Sequence, residues 1–397
     1  MGSTPTFDTS YNNHFVAYGQ FLVHDITFSL PVTDVGRTPI TSCSCSVREP
    51  DRCLVIDTPA DDPFMSQQKC IATPASAQAF TDQICALGVK DQLNGNSHFV
   101  DLSLTYGSTM TTGHGLRTGA HGLLKVAKQP WSKFDLLPAQ MDGKTCSDST
   151  PTQRCFAGGD SRVMENILLS GLQAQWVRLH NVFALELEKI RPSLRNNDDV
   201  LYEEAKKILA ALHQRYVYED WLPMLIGPDA TKKFLTDNTV FTRYDPTVPG
   251  VVLNEVATAA IRLHTLVRDL FSRCRPNGDF IDQIWLKDIA AKCKYAYDAQ
   301  NNGVDSFLCG SLYDYGFAGD TNYAKEIHHH LFENRNSKGE VTRNDIVSIN
   351  ICRGREHGLP GYNAYREVCG LPRAVQFSDF ADSMAPDAIQ RLQTIYQ

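Results

Sequence analysis

The chain lacks two features that would place it in large classes of protein. None of its apolar runs approaches the ~20 residues that cross a membrane, so the sequence predicts no membrane span. It also lacks a basic stripe, and its net charge of −7 argues against nucleic acid as a partner. With 397 residues, the chain is long enough to bury a sizeable core as one large domain or two ordinary ones.

Two marks of secretion are absent as well. No Asn-x-Ser/Thr glycosylation site occurs, and no signal peptide precedes Gly2. Cysteine use nevertheless favours an extracellular protein, because 12 cysteines suit disulfides better than cytosolic thiols. Five of them lie in one loop-like segment, residues 41–90: Cys43, Cys45, Cys53, Cys70 and Cys85. Zinc is the weaker alternative, since Cys43 and Cys45 lack the usual spacing of a ligand pair.

The chain is organised around the stretch GQFLVHDITF, residues 19–28. We predict a helix over 17–30, which places Gln20 and His24 one turn apart on the same face. Most of the surrounding side chains are apolar. A lone histidine in such a helix is more often a core residue bonded to a backbone carbonyl, so other segments must decide its role.

Two further segments combine polar side chains with helical spacing. In the block AGGDSRVMEN, residues 157–166, Arg162 and Glu165 share one side of a predicted helix. As a surface ion pair they would contribute little to stability. The block NEVATAAIRLHTLV, residues 254–267, sets His264 at the edge of a buried apolar stripe. A lone histidine there is also more often structural.

Oxygen-bearing side chains cluster in the segment NSHFVDLSLTYGS, residues 96–108. Ser97, Asp101 and Ser103 follow one another at short intervals, and the backbone carbonyl of Phe99 lies among them. Hard oxygen donors in a short irregular segment suit calcium, which takes six to eight such ligands. Serine and aspartate are also ordinary turn residues, so the segment alone is a weak indication.

Together with the block NICRGREHGLPGYNAYR, residues 350–366, these motifs resemble those of the animal haem peroxidases and occur in the family's order. The resemblance covers most of residues 12–270 and 323–373. It implies a single domain over residues 1–397, with the cysteine-rich segment inside it. The implied fold is mainly α-helical with few short strands, stabilised by calcium and disulfides, and it is expected to be incomplete at its C-terminal side.

On the distal side of a b-type haem, the resemblance implies that His24 is the acid–base group and Gln20 its hydrogen-bonding neighbour. Arg162 would polarise the peroxide, and Glu165 would form an ester link to the haem. The family's two other link positions carry residues that do not form such bonds: Val23 and Asn166. We therefore expect one covalent attachment at most.

On the proximal side, the resemblance implies that His264 binds the iron. Asn363 would accept its hydrogen bond, and Arg262 and Arg366 would contact the cofactor. One glycine of the family motif is missing before His264, and a one-residue deletion turns the downstream part of a helix by about a hundred degrees. Either the helix absorbs this change as a bulge or register shift, or Arg262 and His264 cannot both keep their family roles.

The resemblance also implies a local disulfide between Cys146 and Cys155. The calcium ligands that it implies are Asp25, Ser97, the Phe99 carbonyl, Asp101 and Ser103.

The implied function is a peroxidase that reduces hydrogen peroxide and oxidises a halide, thiocyanate, phenol or tyrosine. The alternative is a peroxidase-like domain without turnover that acts in extracellular matrix adhesion or association, although the chain has no Arg-Gly-Asp or Lys-Gly-Asp tripeptide. A fatty-acid oxygenase of the wider superfamily would need a radical-forming tyrosine near the haem.

Overall fold

The computed structural model describes residues 5–33, 39–40, 43–79, 90–140, 146–235, 245–336 and 338–396. Within these ranges the chain is mainly α-helical with short strands, which confirms the helical part of the predicted fold class. The α-helices are α1 (Asn13–Ile26), α2 (Ser103–Tyr106), α3 (Met110–Leu116), α4 (Ile167–Ile190), α5 (Asp198–Arg215), α6 (Leu222–Phe234), α7 (Val304–Tyr313), α8 (Lys325–His329), α9 (Ile346–Glu356), α10 (Tyr362–Val368) and α11 (Pro386–Ile395). None of the helices in these ranges is long and apolar enough to cross a membrane.

The strands are short and pair two by two. They are β1 (Phe7–Asn12), β2 (Cys53–Asp57), β3 (Cys70–Pro74), β4 (Leu270–Cys274), β5 (Phe280–Trp285), β6 (Tyr315–Phe317), β7 (Leu331–Arg335) and β8 (Val341–Asn344). In the described part of the chain they form antiparallel pairs β1–β6, β2–β3, β4–β5 and β7–β8. Because Phe7 lies opposite Phe317, the β1–β6 pair ties the start of the chain to its last third.

Helix α1 crosses the core and is fixed at its start and along its length. Asn12 caps it by accepting a hydrogen bond from the Phe15 amide (3.0 Å). The Phe21 ring is fully buried, and removing it would cost about 3–5 kcal/mol. At Gly19 a Cβ atom would lie 2.9 Å from the Trp221 ring, so only glycine permits the observed close approach.

Helix α4 is the longest helix of the described residues, and it begins after a separate turn. Asn166 caps α4 by accepting hydrogen bonds from the amides of Leu168 and Leu169. The preceding 3₁₀ turn, Ser161–Met164, is capped by Asp160. The chain direction therefore changes between this turn and α4.

Four disulfides stabilise the described part of the chain: Cys43–Cys53, Cys45–Cys70, Cys146–Cys155 and Cys274–Cys309. The predicted Cys146–Cys155 pair is confirmed. The first two disulfides hold the β2–β3 hairpin, so a zinc site at Cys43 and Cys45 is excluded. Cys85 lies outside the described residues. The free cysteines among the described residues are Cys293, Cys352 and Cys369.

Candidate active site

A cavity of about 380 Å³ lies where α1, the turn before α4, residues 257–267 and α9 meet. Six of the residues predicted from the sequence line it: Gln20, His24, Arg162, Glu165, Arg262 and His264. We call the residues from α1 and the turn the distal group, and those from 257–267 and α9 the proximal group. The structure thus brings together side chains from three separate sequence motifs.

In the distal group, His24 and Gln20 face the same carboxylate. Glu165 Oε2 lies 3.4 Å from His24 Nε2 and accepts a hydrogen bond from Gln20 Nε2 (3.0 Å). Asn166 donates in turn to Gln20 Oε1 (2.7 Å). Burial raises the pKa of Glu165, but the neighbouring His24 and Arg162 side chains together lower it more, and the net shift of this pKa is downward. The predicted one-face arrangement of His24 and Gln20 is therefore present.

Arg162 is held by a buried carboxylate instead of pairing with Glu165. Its Nε and Nη2 donate to the two oxygens of Asp160 at 2.8 and 2.7 Å, and Nη2 also donates to the Thr27 carbonyl (2.7 Å). Burial raises the pKa of Asp160, yet the Arg162 guanidinium lowers it to about 2. Two-point contact with an ionised carboxylate fixes the plane of the guanidinium beside the cavity.

In the proximal group, the backbone around the position of the missing glycine is irregular. A π-helical turn covers Val256–Ala260, and a 3₁₀ turn covers His264–Leu266. Both predicted side chains consequently reach the same residue. Arg262 Nη1 donates to Asn350 Oδ1 (3.0 Å), and the Asn350 amide nitrogen lies 2.9 Å from His264 Nδ1. Arg262 and His264 therefore share one partner in this structure.

Burial controls the charge of both proximal side chains. Burial, together with the positive charge of Arg262, lowers the pKa of His264 to about 3, so its imidazole is neutral at physiological pH. Burial and the neighbouring Arg353 lower the pKa of Arg262 to about 10, which leaves its guanidinium charged. Within the described ranges, Arg262 donates only to the neutral acceptors Asn350 and Ala257. This cation therefore faces the cavity without a carboxylate partner.

Two residues that were predicted to lie at the cofactor, Asn363 and Arg366, do not line the cavity in this structure. Asn363 exchanges two hydrogen bonds with the backbone of Ala374, both 2.9 Å long. Arg366 is buried against Asp382, with contacts of 2.9 and 2.7 Å. Both belong to α10, which starts after the turn that ends α9, and they therefore face the segment around residues 372–383.

The residues that the sequence reasoning missed are Asn350 and Arg353, which belong to the same sequence block. They are three apart on α9 and so share one face of that helix. Asn350 contacts His264, and Arg353 lines the cavity. The helical spacing was a usable signal, but it does not say which face of α9 meets the cavity.

The calcium segment predicted from the sequence folds around Asp25, whose side chain is fully buried. The Asp25 carboxylate accepts hydrogen bonds from the Asp101 amide (3.0 Å) and the Ser103 hydroxyl (3.1 Å). The Ser97 hydroxyl accepts from the Phe99 amide (3.0 Å). Burial and the Asp25 charge raise the pKa of Asp101. In the described part of the chain, no three His, Cys, Asp or Glu side chains converge on a common point that could hold a metal ion.

The mainly helical fold therefore holds a cavity with an imidazole and a guanidinium in one group and a neutral imidazole in the other. The sequence matches the animal haem peroxidase family over residues 1–397, and the chain belongs to this family.

Similar proteins include peroxidasin of Drosophila melanogaster, 30% identical over 98% of this chain and 26% of the relative. Mus musculus myeloperoxidase is 32% identical over 90% of this chain and 50% of the relative. The chain thus spans half or less of the length of these relatives. Among solved structures, peroxidase A of Dictyostelium discoideum superposes with a TM-score of 0.79 at 22% identity, covering 100% of this chain and 72% of that chain. At this identity, the superposition shows the fold alone.

Proposed function

We propose that the chain is a haem-dependent peroxidase that reduces hydrogen peroxide and oxidises a small donor. The observation that carries this proposal is the single cavity shared by His24, Arg162 and His264. When bound, the haem would supply the redox-active iron at which the peroxide bond is cleaved. The chain's own residues would hold that group, position the peroxide and move its proton.

The residues of the cavity fit a haem. His264 would hold the iron, because its low pKa keeps the imidazole neutral and available as a ligand. Arg262, which lacks a carboxylate partner in the described structure, would receive a haem carboxylate. Glu165 lines the same cavity and is the residue for the one ester link that the sequence permits. Asn350 would fix the orientation of the His264 ring with its amide turned so that Oδ1 accepts from Nδ1–H, which leaves Nε2 unprotonated for the iron.

The distal group supplies the acid–base chemistry. His24 would take the proton from the bound peroxide and return it to the leaving oxygen, since an imidazole can do both near neutral pH. Arg162 would stabilise the negative charge that develops on that oxygen, because Asp160 already holds its guanidinium in place. Gln20 would hold the peroxide beside His24.

The cavity favours a peroxidase over a fatty-acid oxygenase. An oxygenase of that kind would need a radical-forming tyrosine near the haem. No tyrosine is among the described residues that line the cavity. The donor would be a small molecule, namely a halide, thiocyanate, a phenol or tyrosine.

Calcium is proposed for the segment around Asp25. The donor set of two carboxylates, two hydroxyls and the Phe99 carbonyl is of the hard oxygen type that calcium prefers. The raised pKa of Asp101 supports this proposal, because a cation would relieve the repulsion between its carboxylate and that of Asp25. The four disulfides support an extracellular location.

The test of the proposed function is His24→Ala in the haem-supplemented chain. We expect the Soret band to survive, while the rate of reaction with peroxide falls ~100- to 10,000-fold, as is typical for the loss of an acid–base group. His14→Ala is the matched control, because His14 lies on the same helix but outside the cavity. An unchanged rate in His24→Ala would contradict the proposal.

A further inference from the structure

We propose that a buried hydrogen-bond network, here called the α9 clamp, positions Asn350 and thereby sets the orientation of His264. The clamp consists of Ser76, Asn254, Arg353, Glu356 and His357. Its members are positioning residues, since they would act through Asn350. This inference rests on the proposed role of His264 as the proximal ligand.

The first half of the clamp joins α9 to the end of the β2–β3 hairpin. Glu356 accepts hydrogen bonds from the Ser76 amide (2.5 Å) and from Arg353 Nη1 (2.6 Å). Arg353 also donates to the Thr73 hydroxyl (3.1 Å) and to the Pro74 carbonyl (2.8 Å). The Glu356 side chain is only 3% exposed. Charged hydrogen bonds that are shielded from water are strong, so they hold α9 in one position on the hairpin.

The second half of the clamp joins α9 to the segment that precedes the proximal turns. His357 Nδ1 lies 2.7 Å from Asn254 Oδ1, and His357 Nε2 lies 3.0 Å from the Ser76 hydroxyl. The Ser76 hydroxyl also lies 3.2 Å from Glu356 Oε2, so its one proton can be donated to either acceptor. When it is donated to the ring, a neutral His357 donates to Asn254 and accepts from Ser76. Burial lowers the pKa of His357 to about 4, in agreement with that neutral form.

Helix α9 and the residue that follows it therefore contact the proximal segment at two points. His357 holds Asn254, before the π-helical turn, and Asn350 holds Arg262 and His264, after it. Between these points the backbone is irregular, so the segment has few repeating hydrogen bonds of its own to fix its shape. The position of α9 on the hairpin must therefore decide where the His264 ring points.

The experiment compares Glu356→Gln with Asp305→Asn, each of which removes the charge of one carboxylate from a short Arg contact. Asp305 pairs with Arg178 at 2.6 Å, and neither residue lines the cavity. The readout is amide hydrogen exchange in the haem-free chain. In Glu356→Gln, we expect exchange in residues 257–267 to rise by about 10-fold. In Asp305→Asn, the same segment should exchange as in the unaltered chain.

A second pair of variants tests the role of the ring. His357→Leu removes the ring contacts to the Ser76 hydroxyl and to Asn254 Oδ1, whereas His357→Gln keeps one donor and one acceptor. With haem bound, we expect the iron–histidine stretching frequency to shift in His357→Leu and to return most of the way in His357→Gln. Equal exchange in Glu356→Gln and Asp305→Asn, or an unshifted frequency, would overturn the clamp. If no variant and no unaltered chain binds haem, the proposed function fails, but the exchange comparison still decides the clamp.

Discussion

The distal group rests on regular, capped structure, whereas the proximal group rests on irregular backbone that another helix holds in place. His24 and Gln20 project from α1, and Arg162 is fixed by a carboxylate two residues away. His264 instead follows a π-helical turn and depends on Asn350, which is 86 residues further along the chain. Local secondary structure therefore orders the distal half of the cavity, and a contact with a distant helix orders the proximal half.

This difference predicts where the cavity is sensitive to change. In the distal group, charge is neutralised locally between Asp160 and Arg162, so breaking that pair should destabilise the fold itself. In the proximal group, neutral partners surround Arg262, and damage should instead alter how the cofactor is held.

The largest effect is expected for Arg162→Leu. The variant leaves the Asp160 carboxylate, which is only 3% exposed, without its cation. We expect the free energy of unfolding to fall by about 3–5 kcal/mol, the usual penalty for an uncompensated buried charge. Urea denaturation of the haem-free chain measures it.

The matched proximal variant is Arg262→Leu, which removes a buried cation whose described partners are neutral. Its loss of stability should stay below about 1 kcal/mol, because the removed desolvation penalty offsets the lost contacts. The double variant Arg162→Leu with Asp160→Asn should recover most of the stability. Equal losses in Arg162→Leu and Arg262→Leu would remove the distinction between the two groups.

As the pH falls, we expect the proximal group to lose stability before the distal group does. The pKa of His357 is lowered from 6.5 to about 4, so the unfolded chain binds this proton more readily than the folded chain. Stability from this group is complete above pH ~6.5 and is lost as the pH falls to about 4, on the order of 3 kcal/mol in all. The charged groups that affect this pKa are Glu356, Arg353, Arg262 and Lys90.

The pH range over which Asp160 contributes to stability lies lower than that of His357. Its pKa falls from 3.8 to about 2, so its contribution is present above pH ~4 and disappears as the pH approaches 2. Amide exchange of the haem-free chain at pH 7, 5 and 4 should therefore accelerate in residues 257–267 and in α9 before it accelerates in α1. If amide exchange accelerated in α1 and α9 at the same pH, the two groups would not lose stability in separate pH ranges.

A smaller effect, on haem affinity, is expected for Asn350→Ala. Asn350→Ala removes the only described side-chain partner of the His264 ring, and we expect the affinity for haem to fall by about 10- to 100-fold. Haem titration followed at the Soret band measures this change. Asn363→Ala, which breaks contacts only with Ala374, should leave haem affinity unchanged. A larger loss of affinity in Asn363→Ala would restore the assignment made from the sequence.

The same contrast explains which parts of the site were predictable. Gln20 and His24 are four residues apart, and Arg162 and Glu165 are three apart, so local spacing alone predicts which side chains share a face. Their convergence on one cavity came from the family resemblance, and the geometry agrees with it. The mainly helical fold and the Cys146–Cys155 pair were likewise predictable.

The proximal details were not predictable, because they depend on contacts between distant segments. Whether Asn350 or Asn363 meets His264 depends on which face of α9 docks against residues 254–264, and periodicity carries no such information. The missing glycine left two outcomes open, and periodicity could not predict the π-helical turn that precedes Arg262. Similarly, the pairing of Arg162 with Asp160 in preference to Glu165 follows from the change of direction before α4.

The smallest effect is expected for Gly19→Ala, which tests how tightly the regular side of the cavity is packed. In an exposed helix, this change would stabilise by about 0.5–1 kcal/mol. At Gly19, however, the new Cβ would lie 2.9 Å from a ring atom of Trp221, a buried and rigid neighbour. We therefore expect a net loss of about 1 kcal/mol in the free energy of unfolding, since overpacking typically costs more than the helical gain.

Gly115→Ala in α3 is the control for Gly19→Ala, because nothing lies within 4 Å of the position where its Cβ would be placed. That variant should show the full helical gain. Opposite signs for the two substitutions, measured by thermal unfolding, would mean that α1 cannot move away from Trp221. A gain in both would mean that α1 shifts freely, in which case the distal group would be no more rigid than the proximal group.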